Sequence, residues 1–277
     1  MGFQKEYLDL ILVPSGLLIM FGYHLFLLYR ILRYPETTVI GYENHNRIAW
    51  VERMMQVESS DLGLALSVIS SNTSAATFLC SVSIGLSSLI GAWVGSSSHN
   101  LFANSLIYGD TSESTMSIKY ISILSFFLVA FTAFVQAARY FVHTTFLITM
   151  PYTDMPVKYV QMAVTRGSYY WSVGLRALYF AVTLLLWIFG PIPMFATSVI
   201  MVMLLHIVDS NSHPLHQYKK LPLGRGRGRI MKVGQEMANV VRAVGEEMAA
   251  VGEGMTAAVR GIEQNGRQEQ IGYTTST

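Results

Sequence analysis

The chain has 277 residues, of which 52% are hydrophobic and only 13% charged, and its mean hydropathy is +0.40. Apolar residues gathered in long blocks at that balance exclude an ordinary soluble domain and mark a multi-pass membrane protein. The net charge of +2 carries little information because acids and bases are segregated along the chain; the single cysteine, Cys80, excludes an intrachain disulfide and argues against a thiolate metal cluster.

The first apolar run, about 8–29, outlasts a signal-peptide core, and Arg30 and Arg33 follow it where a cleavable signal would carry them in front. It reads as a permanent span. Glu6 stands where a myristoylation motif wants Ser or Thr, so no lipid anchor is expected. Lys5, Glu6 and Asp9 lie on the N-terminal side of the span, and the positive-inside rule places the N-terminus outside and Tyr34 onward in the cytosol. Between Pro35 and Asp61, Ile48, Val51, Met54 and Met55 recur at helical spacing beside Trp50, which predicts a short amphipathic helix resting at the interface.

The block from Leu62 to Val94 is crowded with small hydroxyl residues, among them Ser70, Thr73, Ser74, Thr77 and Ser81. Such residues allow close helix approach, so the span at 70–94 is expected in the middle of the bundle. At about 1.5 Å per residue the whole block exceeds a hydrocarbon core of about 30 Å, so its first turns must project into the cytosol. Ser96 to Ser117 is polar, with Asp110 and Glu113 and no Lys or Arg, as an outside connection should be. A third span follows at 120–142, with Gln136, Arg139 and His143 toward its inner end. The next loop, Pro151 to Trp171, ends in Tyr169-Tyr170-Trp171, a predicted interfacial anchor.

The stretch from Ser172 to Val208 decides the architecture. As one helix it would run about 55 Å, too long for one bilayer crossing. Gly190-Pro191-Ile192-Pro193 interrupts it: the prolines lack amide hydrogens and Gly190 tolerates a left-handed helix end. Split there, it gives spans at 172–190 and 192–208 joined by a tight outer turn formed by Gly190, Pro191 and Pro193. Charge distribution agrees. Arg30, Arg33, Arg47 and Arg53 follow the first span, while Lys219, Lys220, Arg225, Arg227 and Arg229 follow the last; if both clusters face the cytosol, the number of spans is odd. The competing reading, one proline-kinked helix, gives four spans and opposite faces for the two clusters.

Past Ser210 the composition changes. Residues 211–229 form a flexible basic linker, whose cations are each worth on the order of 1 kcal/mol beside an anionic leaflet. In 230–264, Met237, Val241, Val244, Met248, Val251, Met255, Ala258 and Ile262 follow heptad steps. Gly245, Gly252 and Gly254 weaken that helix, making it conditional on a membrane surface or partner. Residues 265–277 are predicted to be disordered.

No residue pattern carries recognisable chemistry. There is no Gly-x-Ser-x-Gly, no His-Glu-x-x-His and no phosphate-binding glycine loop, and His213 and His216 lack the further ligands zinc needs. No enzyme activity, cofactor or metal is expected. Polar residues inside spans are then the functional candidates: His24, Asn72, Gln136, Arg139, His143 and Arg176. His24, Arg139 and Arg176 are expected to reach the inner headgroup layer, and Asn72 and Gln136 to bond neighbouring helices.

The run Gly174-Leu175-Arg176-Ala177-Leu178-Tyr179-Phe180-Ala181, continuing to Leu186-Trp187-Ile188-Phe189-Gly190-Pro191, resembles the late-span motif of the membrane family catalogued as domain of unknown function 599, and its wording resembles the plant branch. Asn72-Thr73-Ser74-Ala75-Ala76-Thr77 resembles that family's earlier small-residue motif, although Ser71 stands where plant members commonly carry arginine. The resemblance covers about 8–209 and leaves out the tail. It implies helical spans and brings no activity or substrate.

The expected protein is therefore an all-α, multi-pass helical integral membrane protein of five spans, in the plasma membrane or an endomembrane, with its C-terminus in the cytosol. Its expected function is structural or interactive. The expected partners are the lipid bilayer, anionic headgroups on the linker, and a second copy or coiled-coil partner on 237–262, with no nucleic acid. The alternative is an oligomeric small-solute or ion transporter or channel component.

Overall fold

A computed structural model describes residues 6–56, 62–96, 112–150 and 155–215, together with Gln217, Tyr218 and scattered positions between 239 and 260. Among these the architecture is entirely helical. The helices are α1 (Glu6–Arg33), α2 (Val39–Met54), α3 (Leu62–Ser96), α4 (Glu113–Thr149), α5 (Val157–Leu185) and α6 (Pro191–Asp209). All but α2 are long and apolar enough to cross a membrane, which gives five spans.

The break at Gly190 makes the fifth span a separate helix. The last turn of α5 tightens into a 3-10 turn over Leu186–Ile188, with the amides of Phe189 and Gly190 bonding back to Leu186 and Trp187. Gly190 then adopts φ 140°, a conformation that side-chain-bearing residues rarely enter, and Pro191 starts α6 where a missing amide hydrogen costs nothing. The chain reverses there. This turn marks what is called here the apical end of the bundle; the opposite, basal end carries α2, Arg33 and Asp209.

Helices α1, α4 and α6 run from apical to basal, and α3 and α5 return. Helix α4 is central, flanked by α3 and α5, and α1 packs along α6. Close approach between α4 and α5 depends on small residues. At Gly174 a Cβ would stand 2.7 Å from the ring of Phe134, which is itself fully buried. Phe180 ties α1 to α4 and α5, stacking on Phe126 at 5.0 Å and meeting Phe21 at 4.7 Å. The hydroxyl-rich α3 packs on α4 at one side of the bundle, where Thr77 and Ser81 are exposed, and not in its middle as expected. Its hydroxyls bond within the helix: Thr73, Thr77 and Ser81 each donate to the carbonyl four residues back.

The helices are longer than hydropathy alone suggests, mostly at the basal end, although α4 also begins at Glu113, inside the segment expected to be a connection. Helix α6, with 19 residues, spans about 28 Å, close to one bilayer core. By the same rise, the 37 residues of α4 run about 55 Å. Helix α5 begins at Val157, inside the segment expected to be a loop, and α3 begins at Leu62. These extensions stay wound because they have their own core. Val51, Met54 and Met55 of the α2 region pack with Ala65 and Ile69 of α3, Ile148 of α4 and Val160 of α5. Helix α2 therefore spends Val51 and Met54 of its expected stripe on protein, while Ile48 stays exposed. Gln161 reinforces the contact by donating to the carbonyl of Ile48 at 3.1 Å.

The chain leaving α1 and the chain leaving α6 emerge together. Thr38 and Ser210 form an isolated antiparallel bridge, and the amide of Asn211 donates to the carbonyl of Thr37 at 3.0 Å. The two basic regions thus start from one end of the bundle, which the odd span count requires. The basic linker residues Lys219, Lys220, Arg225, Arg227 and Arg229, the heptad seam from Met237 to Ile262, and most of the Ser96–Ser117 connection lie outside the described residues.

Candidate functional site

Asp209 is the last residue of α6 and is 4% exposed, so its carboxylate has left water at the edge of an apolar segment. An unpaired charge there would cost several kcal/mol. Arg176 of α5 supplies the partner. Its Nη1 donates to Oδ2 at 2.8 Å and its Nη2 bonds Oδ1, a two-pronged geometry that suits the planar guanidinium. Tyr23 of α1 completes the group, its hydroxyl donating to Asp209 Oδ2 at 2.7 Å. Three helices are joined through one carboxylate, and both of its oxygens are in use.

Arg30 extends the polar network toward the basal surface. Its Nη2 donates to the carbonyl of Thr37 at 2.6 Å, and Nη1 and Nε reach the hydroxyls of Ser210 and Thr37 at 3.3 Å. One guanidinium therefore holds both strands of the Thr38–Ser210 bridge. One turn along α1 toward the apical end from Leu27, His24 places Nδ1 2.7 Å from the carbonyl of Met20; a carbonyl only accepts, so Nδ1 carries the proton. The His24 ring lies 4.9 Å from Phe180.

A second polar group ties the apical end. Trp187, in the 3-10 turn before Gly190, donates its indole N–H to Asp9 Oδ1 at 2.7 Å. Lys119 of α4 is fully buried, with Nζ 5.5 Å from the same indole centroid. Asp9 and Lys119, both near the ends of their spans, thus converge on one tryptophan.

The six intramembrane candidates do not gather into one path. His24 and Arg176 belong to the α1–α5–α6 region. Arg176 ends in an ion pair with Asp209, the last residue of α6. Asn72 is exposed on α3 and bonds no other helix among the described residues. Gln136 is half-buried on α4, and Arg139 is exposed, its guanidinium 5.7 Å over the ring of Tyr140. His143 is exposed one turn further and lines a cleft between α4 and α5. Among the described residues no three His, Cys, Asp or Glu side chains come together as a metal site.

Residues 11–214 match the family described as Protein of unknown function, DUF599. The chain belongs to the DUF599 family. The matched region runs from the apical third of α1 through the bridge at Ser210, so the polar triad, the Gly190 turn and the basal core all fall inside it. No curated protein and no solved structure matches the chain.

Sequence reasoning missed Asp209, Tyr23, Asp9 and Lys119 as members of these groups. A signal existed for the first: Asp209 is the only acid between Asp154 and the end of α6, so it is the one carboxylate available to Arg176 on the following helix. For Tyr23 and Lys119 no such signal exists, because a tyrosine or lysine near a span end looks the same whether it faces lipid, headgroups or a buried partner.

Proposed function

We propose that this DUF599 protein is a membrane-embedded, non-catalytic interaction protein. Its five-helix unit anchors and orients a cytosolic tail, with the N-terminus outside. The observation that carries the reading is the docking of the segment that leads into that tail. From the Thr38–Ser210 bridge the chain crosses α2, where the Tyr218 hydroxyl donates to Asn46 Oδ1 at 2.7 Å and the Arg53 guanidinium lies 4.7 Å over the Tyr218 ring. A linker that starts at a fixed point is what an anchor needs to present a partner-binding segment.

Two further features support it. In the polar triad both carboxylate oxygens of Asp209 are engaged by side chains of neighbouring helices, a geometry that suits holding helices together more than moving a solute. In the tail, Asn239, Arg242, Glu246, Ala250, Glu253, Ala257 and Arg260 are helical and exposed, at steps of three and four residues. That polar stripe falls between the expected seam positions, as on the outer face of a coiled coil. The partners under this reading are anionic headgroups for residues 219–229 and a second copy or a heptad-bearing helix for 237–262, with nucleic acid excluded.

The test compares the full chain with a variant lacking residues 221–277, both reconstituted in vesicles. Cross-linked oligomers and binding to anionic vesicles should be lost with the tail, while no solute flux depends on Asn72 or Arg139. Ion or solute flux that survives tail deletion and disappears with Asn72→Ala or Arg139→Ala would replace this reading with the transporter one.

A further inference from the structure

We propose that the cleft between the basal ends of α4 and α5 binds the headgroup of an anionic glycerophospholipid, with Arg166 and His143 as the phosphate-recognising pair. The cleft has a volume of about 430 Å³, within the usual range for small-molecule sites. Arg166 and His143 are both exposed into it, Tyr140 and Tyr159 flank them, and Leu147 and Met162 supply apolar wall.

Charge is the first argument. The described lining holds two nitrogen-donor side chains and no acid. Arg166 has no ion pair or hydrogen bond among the described residues, whereas Arg176 is paired with Asp209 and Arg47 with Glu43. An unpaired guanidinium beside an imidazole is a fit for the oxygens of a phosphodiester.

Depth is the second. Tyr140 stacks on Tyr170 at 5.6 Å and the adjacent Trp171 packs on Phe134, and Arg166 lies ten residues basally from Arg176, so the cleft opens where α4 and α5 rise past the basal end of α6. The same faces continue toward the bilayer core as a stripe that is half-buried at Tyr140 and Gln136 and exposed beyond them. On α4 it runs from Tyr140 through Gln136, Thr132 and Val129; on α5 it runs from Arg166 through Tyr170 and Val173. Acyl chains lying on that stripe would place a headgroup at Arg166. A free anion would gain nothing from the stripe, and the proposal therefore commits to a lipid.

This site lies within the helical bundle and is independent of the tail proposed above. The experiment uses the full chain and a full-chain variant with Lys219, Lys220, Arg225, Arg227 and Arg229 all changed to Gln. Each is extracted from vesicles of phosphatidylcholine mixed with phosphatidylserine, and retained lipid is identified by native mass spectrometry. Both should retain phosphatidylserine in preference to phosphatidylcholine. Arg166→Gln with His143→Gln should lower that retention roughly tenfold, the effect of losing a charge-assisted bond. Arg166→Lys should keep most of it, and Met162→Trp, which fills the cleft with the charges intact, should remove it. Equal retention of the two lipids, retention unchanged by Arg166→Gln, loss confined to the linker variant, or binding of inorganic phosphate without phosphatidylserine would each overturn the assignment.

Discussion

Arg176 and Asp209 face each other across the Gly190 hairpin, the guanidinium spanning both carboxylate oxygens while Tyr23 holds one of them from a third helix at 2.7 Å. The pair sits where α6 ends while α5 runs on: the 29-residue α5 continues about 28 Å basally from Arg176 to Val157. Removing one partner leaves the other desolvated, so the cost is not the value of the bond alone. Asp209→Asn or Arg176→Met should each lower stability by about 3–5 kcal/mol, and Tyr23→Phe by about 1 kcal/mol. Arg176→Met combined with Asp209→Leu should recover most of the loss. Unfolding in mixed micelles with added SDS gives the four values, and a double variant as unstable as the sum of its parts would refute the pairing as the source.

Gly190 is held at φ 140°. Gly190→Ala should cost about 1–3 kcal/mol through backbone strain, whereas Pro193→Ala, at the third residue of the new helix, should stay within about 0.5 kcal/mol of the parent. The same micelle assay separates them. Equal effects would mean that the reversal does not depend on the glycine conformation.

At Gly174 an added Cβ meets the Phe134 ring at 2.7 Å. Gly174→Ala should destabilise by about 1–3 kcal/mol, the usual cost of overpacking a fixed ring. Phe134→Leu made in the same chain should return part of it, because the shorter side chain vacates the contact. Non-additivity measured in a double-mutant cycle is the readout; strictly additive losses would count against contact between the two positions.

The spans were readable from sequence because a bilayer imposes a length and a polarity at once. Gly190-Pro191 could be recognised as a reversal because a single helix there was physically too long. Helix α2 was also legible as a stripe, but not its partner: Val51 and Met54 show the same spacing whether they face lipid or Ile148 and Val160. The basal extensions of α3, α4 and α5 were underestimated for a related reason. Residues such as Lys158, Gln161 and Arg166 depress hydropathy without ending a helix, and it is the contact with α2 that keeps the segment wound. The candidate site was half legible. Arg176 stood out as a charge in an apolar run, whereas Tyr23 is indistinguishable from a lipid-facing tyrosine until α1 and α6 are placed side by side.

The Tyr218 contacts with Asn46 and Arg53 define the start of the tail. Tyr218→Ala should free that segment from α2 and speed limited trypsin cleavage after Lys219 and Lys220 severalfold, with the helical content unchanged by circular dichroism. Gel-resolved time courses on the reconstituted protein report it; identical cleavage rates would show that the docking does not restrain the linker.

Because α3, α4 and α5 outrun α1 and α6 at the basal end, a single copy in a nanodisc carries a knob of described protein on that rim. Electron microscopy could assign up and down to each image from that silhouette, without an antibody fragment or a fused marker.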